Sequence, residues 1–181
     1  MARAVAFTGY RPEKFDFGFS PEEPRYVELE DRLINTVLSL HEEGYSRFYC
    51  GAAMGFDLLC GEIVILLKKR FADMRLCCFV PFRGQQRDFP DGWKKRYEDV
   101  LAASDEVVMV SQQYERGCYS KRNRKMVDGA EVLVTYFDGV KGGTAQTVAY
   151  AKKKNLRIIN LYDMEEEGAQ YKIFNVFNPL R

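Results

Sequence analysis

The sequence holds a single histidine, His41, among its 181 residues, and its five cysteines (Cys50, Cys60, Cys77, Cys78 and Cys118) include no Cys-x-x-Cys pair. A zinc framework needs closely spaced thiolate and imidazole ligands, so no metal site is expected, and an odd set of thiols suits buried side chains in a reducing compartment. Net charge is lacking as well, with 27 basic residues against 26 acidic ones, a balance of +1. That balance argues against a generic polyanion binder and leaves room for a local basic site. The longest apolar run, Leu58 to Leu67, is interrupted by Gly61-Glu62, and the N-terminal run meets Arg3 at once. Neither suits a membrane span or a secretion signal, so a soluble cytoplasmic protein with no membrane partner is expected. The sequence has no internal repeat, low-complexity stretch or linker.

What it does have is 46% hydrophobic residues, enough for one full core in a single domain over residues 1–181. Ala4-Val-Ala-Phe7 reads as a first, central parallel strand that ends at Thr8-Gly9-Tyr10-Arg11-Pro12, which puts Arg11 at the sheet's functional edge. Residues 13 to 24, with Phe15, Phe17, Phe19, Pro21 and Pro24, are too irregular for either periodicity and read as a packed crossover or a lid. Tyr26, Leu29, Leu33, Val37 and Leu40 recur at helical spacing up to a C-capping Gly44, with His41 near the helix end.

Further strands are expected at Arg47 to Cys50, Leu76 to Val80, Glu106 to Val110 and Leu156 to Leu161. Helices are expected around Leu58 to Leu67 and from Asp91, where Trp93, Tyr97, Val100 and Leu101 share a face. The polar, aromatic stretch from Pro81 to Pro90 has the length to roof a site, Met164 to Gly168 reads as a turn, and Tyr171 to Phe177 reads as an edge strand. Strands alternating with helices give an α/β class, a doubly wound, mostly parallel sheet with helices on both faces.

The most informative stretch runs through a basic helix start, Ser120-Lys-Arg-Asn-Arg-Lys-Met126, and a buried strand, Glu131 to Phe137. A glycine loop, Asp138 to Thr144, then opens into a helix that ends in Lys152-Lys-Lys154. Glycines let a ligand approach the backbone, and the first N–H groups of a helix lack intrahelical partners, so Gly142, Gly143 and Thr144 are a candidate phosphate cradle. The bland alternative is a plain turn. Arg122, Asn123 and Arg124 lie one strand upstream, and a parallel sheet opens both segments on its C-terminal edge, where two arginines suit a phosphate. Gly51-Ala-Ala-Met-Gly55-Phe-Asp57 is a second loop with room for a ligand, in which Asp57 reads equally as a helix N-cap worth about 1 kcal/mol.

Taken in order, Thr8-Gly9-Tyr10-Arg11-Pro12, Gly51 to Asp57, Pro81-Phe82 with Gln85, Arg122-Asn123 through Met126, and Gly142-Gly-Thr144 resemble the YpsA-like branch of the SLOG superfamily. The resemblance covers Val5 to about Leu161. It implies a Rossmann-like fold and a nucleotide-type ligand. The superfamily includes lonely-guy phosphoribohydrolases, which cleave nucleoside monophosphates at the N-glycosidic bond, and DNA-processing protein A, which binds single-stranded DNA. Arg122, four residues before Met126, matches the arginine of the lonely-guy pattern, and Gly143-Thr144 matches the Gly-Thr of its glycine loop. Thr147 stands where those enzymes carry a catalytic glutamate, and Gly139 stands where they carry a proline. The Arg-Asn-Arg at 122 to 124 and the Gly-x-x-x-Gly-x-Asp at 51 to 57 are similar to the phosphate-pocket motifs of DNA-processing protein A.

The leading expectation is a module that binds a nucleotide or nucleotide-derived ligand, as a sensor or regulatory protein. Its phosphate would rest on Gly142, Gly143, Thr144, Arg122 and Arg124, its base or ribose on Tyr10, Arg11 and the segment Gly51 to Asp57, with Thr8, Gly9, Ala52, Gly55 and Asn123 completing the lining. The second is a nucleoside-monophosphate N-glycosidase in which Asp57, Glu62 or Asp138 replaces the missing carboxylate and acts with Arg122. The third is a protein for single-stranded nucleic acid, which the neutral charge disfavours. A vestigial pocket in a scaffolding domain is the alternative to all three. No cofactor is implied, and a homodimer is an expectation by resemblance to lonely-guy enzymes.

Overall fold

The computed structural model describes residues 2–162. The turn expected at Met164 to Gly168 and the edge strand expected at Tyr171 to Phe177 lie outside the described residues. Each expected apolar run becomes a strand: β1 (Arg3–Thr8), β2 (Tyr45–Cys50), β3 (Arg75–Phe82), β4 (Glu106–Ser111), β5 (Val132–Thr135) and β6 (Arg157–Asn160). They form one wholly parallel sheet in the order β4-β3-β2-β1-β5-β6. The five α-helices of the described residues are α1 (Pro24–Glu42), α2 (Phe56–Lys68), α3 (Asp91–Ala103), α4 (Cys118–Asp128) and α5 (Gly143–Lys153). The architecture is the Rossmann-like, doubly wound α/β fold that the alternation of elements implies.

Strand periodicity sorts the core into two layers. Val5 and Phe7, Phe48 and Cys50, Leu76 and Cys78, and Val132 and Val134 face α1, α2 and α3. Ala6, Cys77, Phe79 and Leu133 face the other way, onto Met126 and Val127 of α4 and Val148 and Ala151 of α5. Because both faces are covered, β1 is buried from Ala4 to Thr8 and β5 along its whole length. All five cysteines are free and buried.

Residues between β1 and α1 hold one 3-10 turn, Pro12–Lys14, and are otherwise ordered by aromatic packing. Phe15 stacks on Tyr136 at 4.9 Å, and Phe19 meets Tyr26 at 4.9 Å and Trp93 at 5.8 Å between ring centroids. This is a packed crossover, and Trp93 belongs to it. Gly44 takes φ 91° just past α1, and His41 Nε2 lies 2.9 Å from Asp73. Chain order reverses between β1 and β5, which pair through Val5↔Val132 to Thr8↔Thr135. The loops leaving these two strands flank the crevice in which open α/β sheets take ligands.

Candidate functional site

The loop from β5 to α5 is open. Gly139 has φ 94°, and side chains added at Gly139 or Gly143 would meet nothing within 4 Å. At Gly142 a Cβ would meet only Lys14 Nζ, at 3.0 Å. Gly142 is the N-cap of α5, and no side chain caps that helix, so its first N–H groups face outward as a positive helix end. Thr144 Oγ1 donates to the Gly9 carbonyl at 3.1 Å and fastens the loop to the end of β1. A second fastening joins Tyr10 to Asp138, which accepts from the Tyr10 hydroxyl and, at 2.8 Å, from the Val140 N–H. Burial, helped by this bond, pushes the Tyr10 phenol up to about 12, and the same bond holds the Asp138 carboxyl below its usual range.

The loop from β2 to α2 has the same glycine-rich composition and is filled by the protein itself. Arg122 reaches under it from α4, donates from Nη1 to the Gly51 carbonyl and to Phe79 O at 3.4 Å, and lies 3.8 Å from Asp57. Both side chains are buried, 5% and 8% exposed. A Cβ at Gly51 would overlap the guanidinium, which is the physical reason for glycine there. Ala52, at φ 51°, is buried, and its carbonyl accepts from the buried Gln85 amide at 3.4 Å. Gly55, the N-cap of α2, has φ 89°, and a Cβ there would lie 2.5 Å from Tyr10 O. Gly9 is constrained similarly, since a Cβ would fall 2.5 Å from the Phe56 ring.

Asp57 is therefore a bolt, bonded to the backbone N–H groups of Gly9 and Ala53 in the first turn of α2. Burial raises its carboxyl to about 6 in spite of Arg122, those two N–H groups and Arg11. Burial also lowers Arg122, so desolvation outweighs the attraction on both sides of the pair.

Position on α4 separates the three polar residues of the Arg-Asn-Arg motif. Tyr119, Arg122, Asn123 and Met126 fall on the inward side at helical spacing, whereas Arg124 is exposed, with its guanidinium 5.3 Å from the centroid of the Tyr150 ring. The structure does not bring Arg122 and Arg124 together. Asn123 Nδ2 donates to Thr147 Oγ1 at 2.8 Å, and Thr147 Oγ1 donates to Gly143 O at 3.0 Å. Glu62 faces α3, where Arg96 holds it at 2.7 Å, and Thr8 is buried beside Thr135 at the end of β1.

Two participants escape a reading of the sequence: Lys14, which reaches the glycine loop from the crossover, and Tyr119, half-buried at the start of α4, whereas Gln85, one of the motif residues, supports the second loop. The clue for Lys14 was its place three residues after Arg11, just beyond the end of β1. Chemically, the open loop offers helix N–H groups and Lys14 to an anion. Of the groups that could move a proton, Thr147 is a hydroxyl already engaged, Asp57 is sealed beneath the backbone, and Asp138 is exposed but bonded to Tyr10 and the Val140 N–H.

Two solved structures share this fold. DNA processing protein A of Helicobacter pylori, described for its single-stranded DNA binding mode, superposes with a TM-score of 0.58 at 18% identity over 86% of this chain. DNA processing protein A of Streptococcus pneumoniae gives 0.56 at 13% identity over 87%. The chain spans 63% and 49% of those two proteins, so the likeness is one of fold. Among curated sequences, the SPbeta prophage-derived protein YoqJ of Bacillus subtilis is 29% identical over 74% of this chain and 85% of its own length. A UPF0398 protein of Bacillus licheniformis is 27% identical over 83% of this chain and 84% of its own. The YpsA family model, described as the YspA SLOG family, matches residues 5–166, and the chain belongs to that family.

Proposed function

We propose that the protein binds a nucleotide or nucleotide-derived ligand in the crevice between the ends of β1 and β5. The observation that carries this reading is the uncapped N-terminus of α5, where Gly142 and Gly143 leave space that, among the described residues, only Lys14 approaches. Backbone N–H groups, a helix dipole and a lysine form an anion site suited to one phosphate group. The phosphate rests on Gly142, Gly143 and Thr144 with Lys14 beside it; Arg122 holds the neighbouring loop from below and Arg124 faces away. The protein acts as a sensor or regulatory module in this reading: a hydroxyl stands at Thr147, and the exposed carboxylate of the loop, Asp138, is engaged by the Tyr10 hydroxyl and the Val140 N–H.

Thermal unfolding with nucleoside mono- and diphosphates, ADP-ribose, NAD and cyclic dinucleotides tests this. A ligand at 100 times its dissociation constant adds about 2.7 kcal/mol of stability. A shift with one class, absent in Gly143→Glu, is expected; no shift with any member overturns the reading.

A second reading, a strand of nucleic acid, draws on the fold neighbours and on the exposed Lys121, Arg124 and Lys125 of α4. Retention of a labelled oligonucleotide with a steep salt slope marks it out from single-nucleotide binding.

A further inference from the structure

Arg11, expected from the sequence to meet a base or ribose, stands on the same edge of the sheet as Tyr119, a ring that the sequence reading left without a role. Arg11 leaves the end of β1, and its guanidinium stands 6.0 Å from the ring centroid of Tyr119 in the first turn of α4. Among the described residues the other arginine–ring distances run from 3.9 Å, for Arg3 and Tyr45, to 5.7 Å, for Arg70 and Phe71, so the Arg11–Tyr119 spacing is the widest of them. The wider spacing sits at the outer limit of a cation–π contact. Arg11 is exposed, and among the described residues its side chain has no hydrogen bond or ion pair.

Tyr119, by contrast, is held. Phe82, at the end of β3, packs against it at 5.9 Å and 87°, and also meets Tyr114 at 5.4 Å and 83°. Tyr119 precedes Asn123 by one helical turn, and Asn123 donates to Thr147 of α5, so one side of α4 runs from this ring toward the glycine loop. On the other side, Gly9 accepts from Thr144, and two residues of chain, at most about 7 Å, separate Gly9 from Arg11.

We infer that Arg11 and Tyr119 are the two jaws of a nucleobase subsite, with a planar heteroaromatic ring held between guanidinium and phenol. The inference rests on the nucleotide reading above and assigns its base-recognising end. Carbon atoms in contact lie about 3.5 to 4 Å apart, so a ring between two planar groups needs about 7 Å. Arg11 has only to swing outward by about 1 Å, and no bond in the described structure resists it. Stacking of this kind tolerates any base, because every base has a π face. Tyr10, whose hydroxyl is bound to Asp138, and the Gly51 loop, filled by Arg122, offer a base much less open surface.

The test compares probes that share a phosphate and differ in the base. Titration calorimetry of the intact chain with AMP, GMP, CMP and UMP is set against ribose 5-phosphate, for the wild type, Tyr119→Ala, Tyr119→Phe and Arg11→Lys. The wild type is expected to prefer at least one nucleotide over ribose 5-phosphate by roughly 5- to 150-fold. Tyr119→Ala removes that preference and leaves ribose 5-phosphate unchanged, and Tyr119→Phe retains it. Arg11→Lys keeps the charge and loses the planar jaw, so it too reduces the preference. If Tyr119→Ala fails to fold, Arg11→Lys still decides, because its side chain is free. Equal binding of nucleotides and ribose 5-phosphate by the wild type overturns the clamp alone. A preference that survives both Tyr119→Ala and Arg11→Lys also overturns it, and binding of no probe sinks the clamp together with the nucleotide reading.

Discussion

The two strand-to-helix loops of the site carry similar glycine signatures and put them to opposite uses. In the β2–α2 loop, glycine at Gly51 makes room for the protein's own arginine, and Gly55 supplies a positive φ under the Tyr10 carbonyl. In the β5–α5 loop, the space beside Gly142 and Gly143 stays open apart from the tip of Lys14. A glycine-rich turn therefore announces close approach without saying what approaches. The filled loop contributes to stability and to the placement of β1; the open loop is where a ligand has room.

The sharpest way to break this contrast is Arg122→Ala. It leaves Asp57 buried without its cationic partner and Gly51 O without a donor, and removing one member of a buried pair typically costs about 3 to 5 kcal/mol. Urea unfolding at pH 7 should register a loss of at least about 3 kcal/mol. A loss under 1 kcal/mol would mean that the guanidinium is dispensable to the loop.

Next in size is the pH dependence of the filled loop. Asp57 titrates at about 6 in the folded protein, against an ordinary aspartate value of about 3.9 in the unfolded chain. Its raised folded value means that the native state binds the extra proton, so the stabilising contribution is full below about pH 4 and is lost as pH rises through about 6. Asp57→Asn should flatten this fall between pH 4 and 6 in denaturant titrations. An unchanged slope would place the titration elsewhere.

Smallest, and most direct, is a matched pair of alanines. Gly51→Ala drives a methyl into the guanidinium and should cost about 1 to 3 kcal/mol. Gly143→Ala, in open space at the start of α5, should stay within about 0.5 kcal/mol of the wild type. Equal losses in thermal unfolding would erase the distinction between the loops.

Much of this architecture can be read from residues alone, because strands covered on both faces must be apolar and helices must repeat near 3.6. Ala4 to Phe7, the Tyr26 to Leu40 series and the Gly44 cap fall where the pattern puts them. Side-chain direction on α4 follows from helical geometry too, since residues two apart cannot share a face. Arg122 accordingly turns inward, toward Asp57, while Arg124 stays exposed. What no local pattern contains is contact between distant segments. Lys14 beside Gly142, Asn123 bound to Thr147 and Gln85 under Ala52 depend on how crossovers pack. The short reach of Arg122 to Gly51 belongs with them, since only the packed fold brings α4 beneath the β2 loop.

The place of β1 at the middle of the sheet has a consequence for the birth of the protein. Its outer neighbour, β5, is made only after β2, β3 and β4, yet Val5 pairs with Val132. At about 5 to 20 residues per second, the ribosome delivers that partner roughly 6 to 25 seconds after β1. Through that interval one edge of an almost wholly apolar strand has no partner, and closing so long a loop is among the slower steps open to a folding chain. The crevice between β1 and β5 consequently forms after β2, β3 and β4 have been made, so a ligand there meets only chains in which β5 and the start of α5 have already emerged.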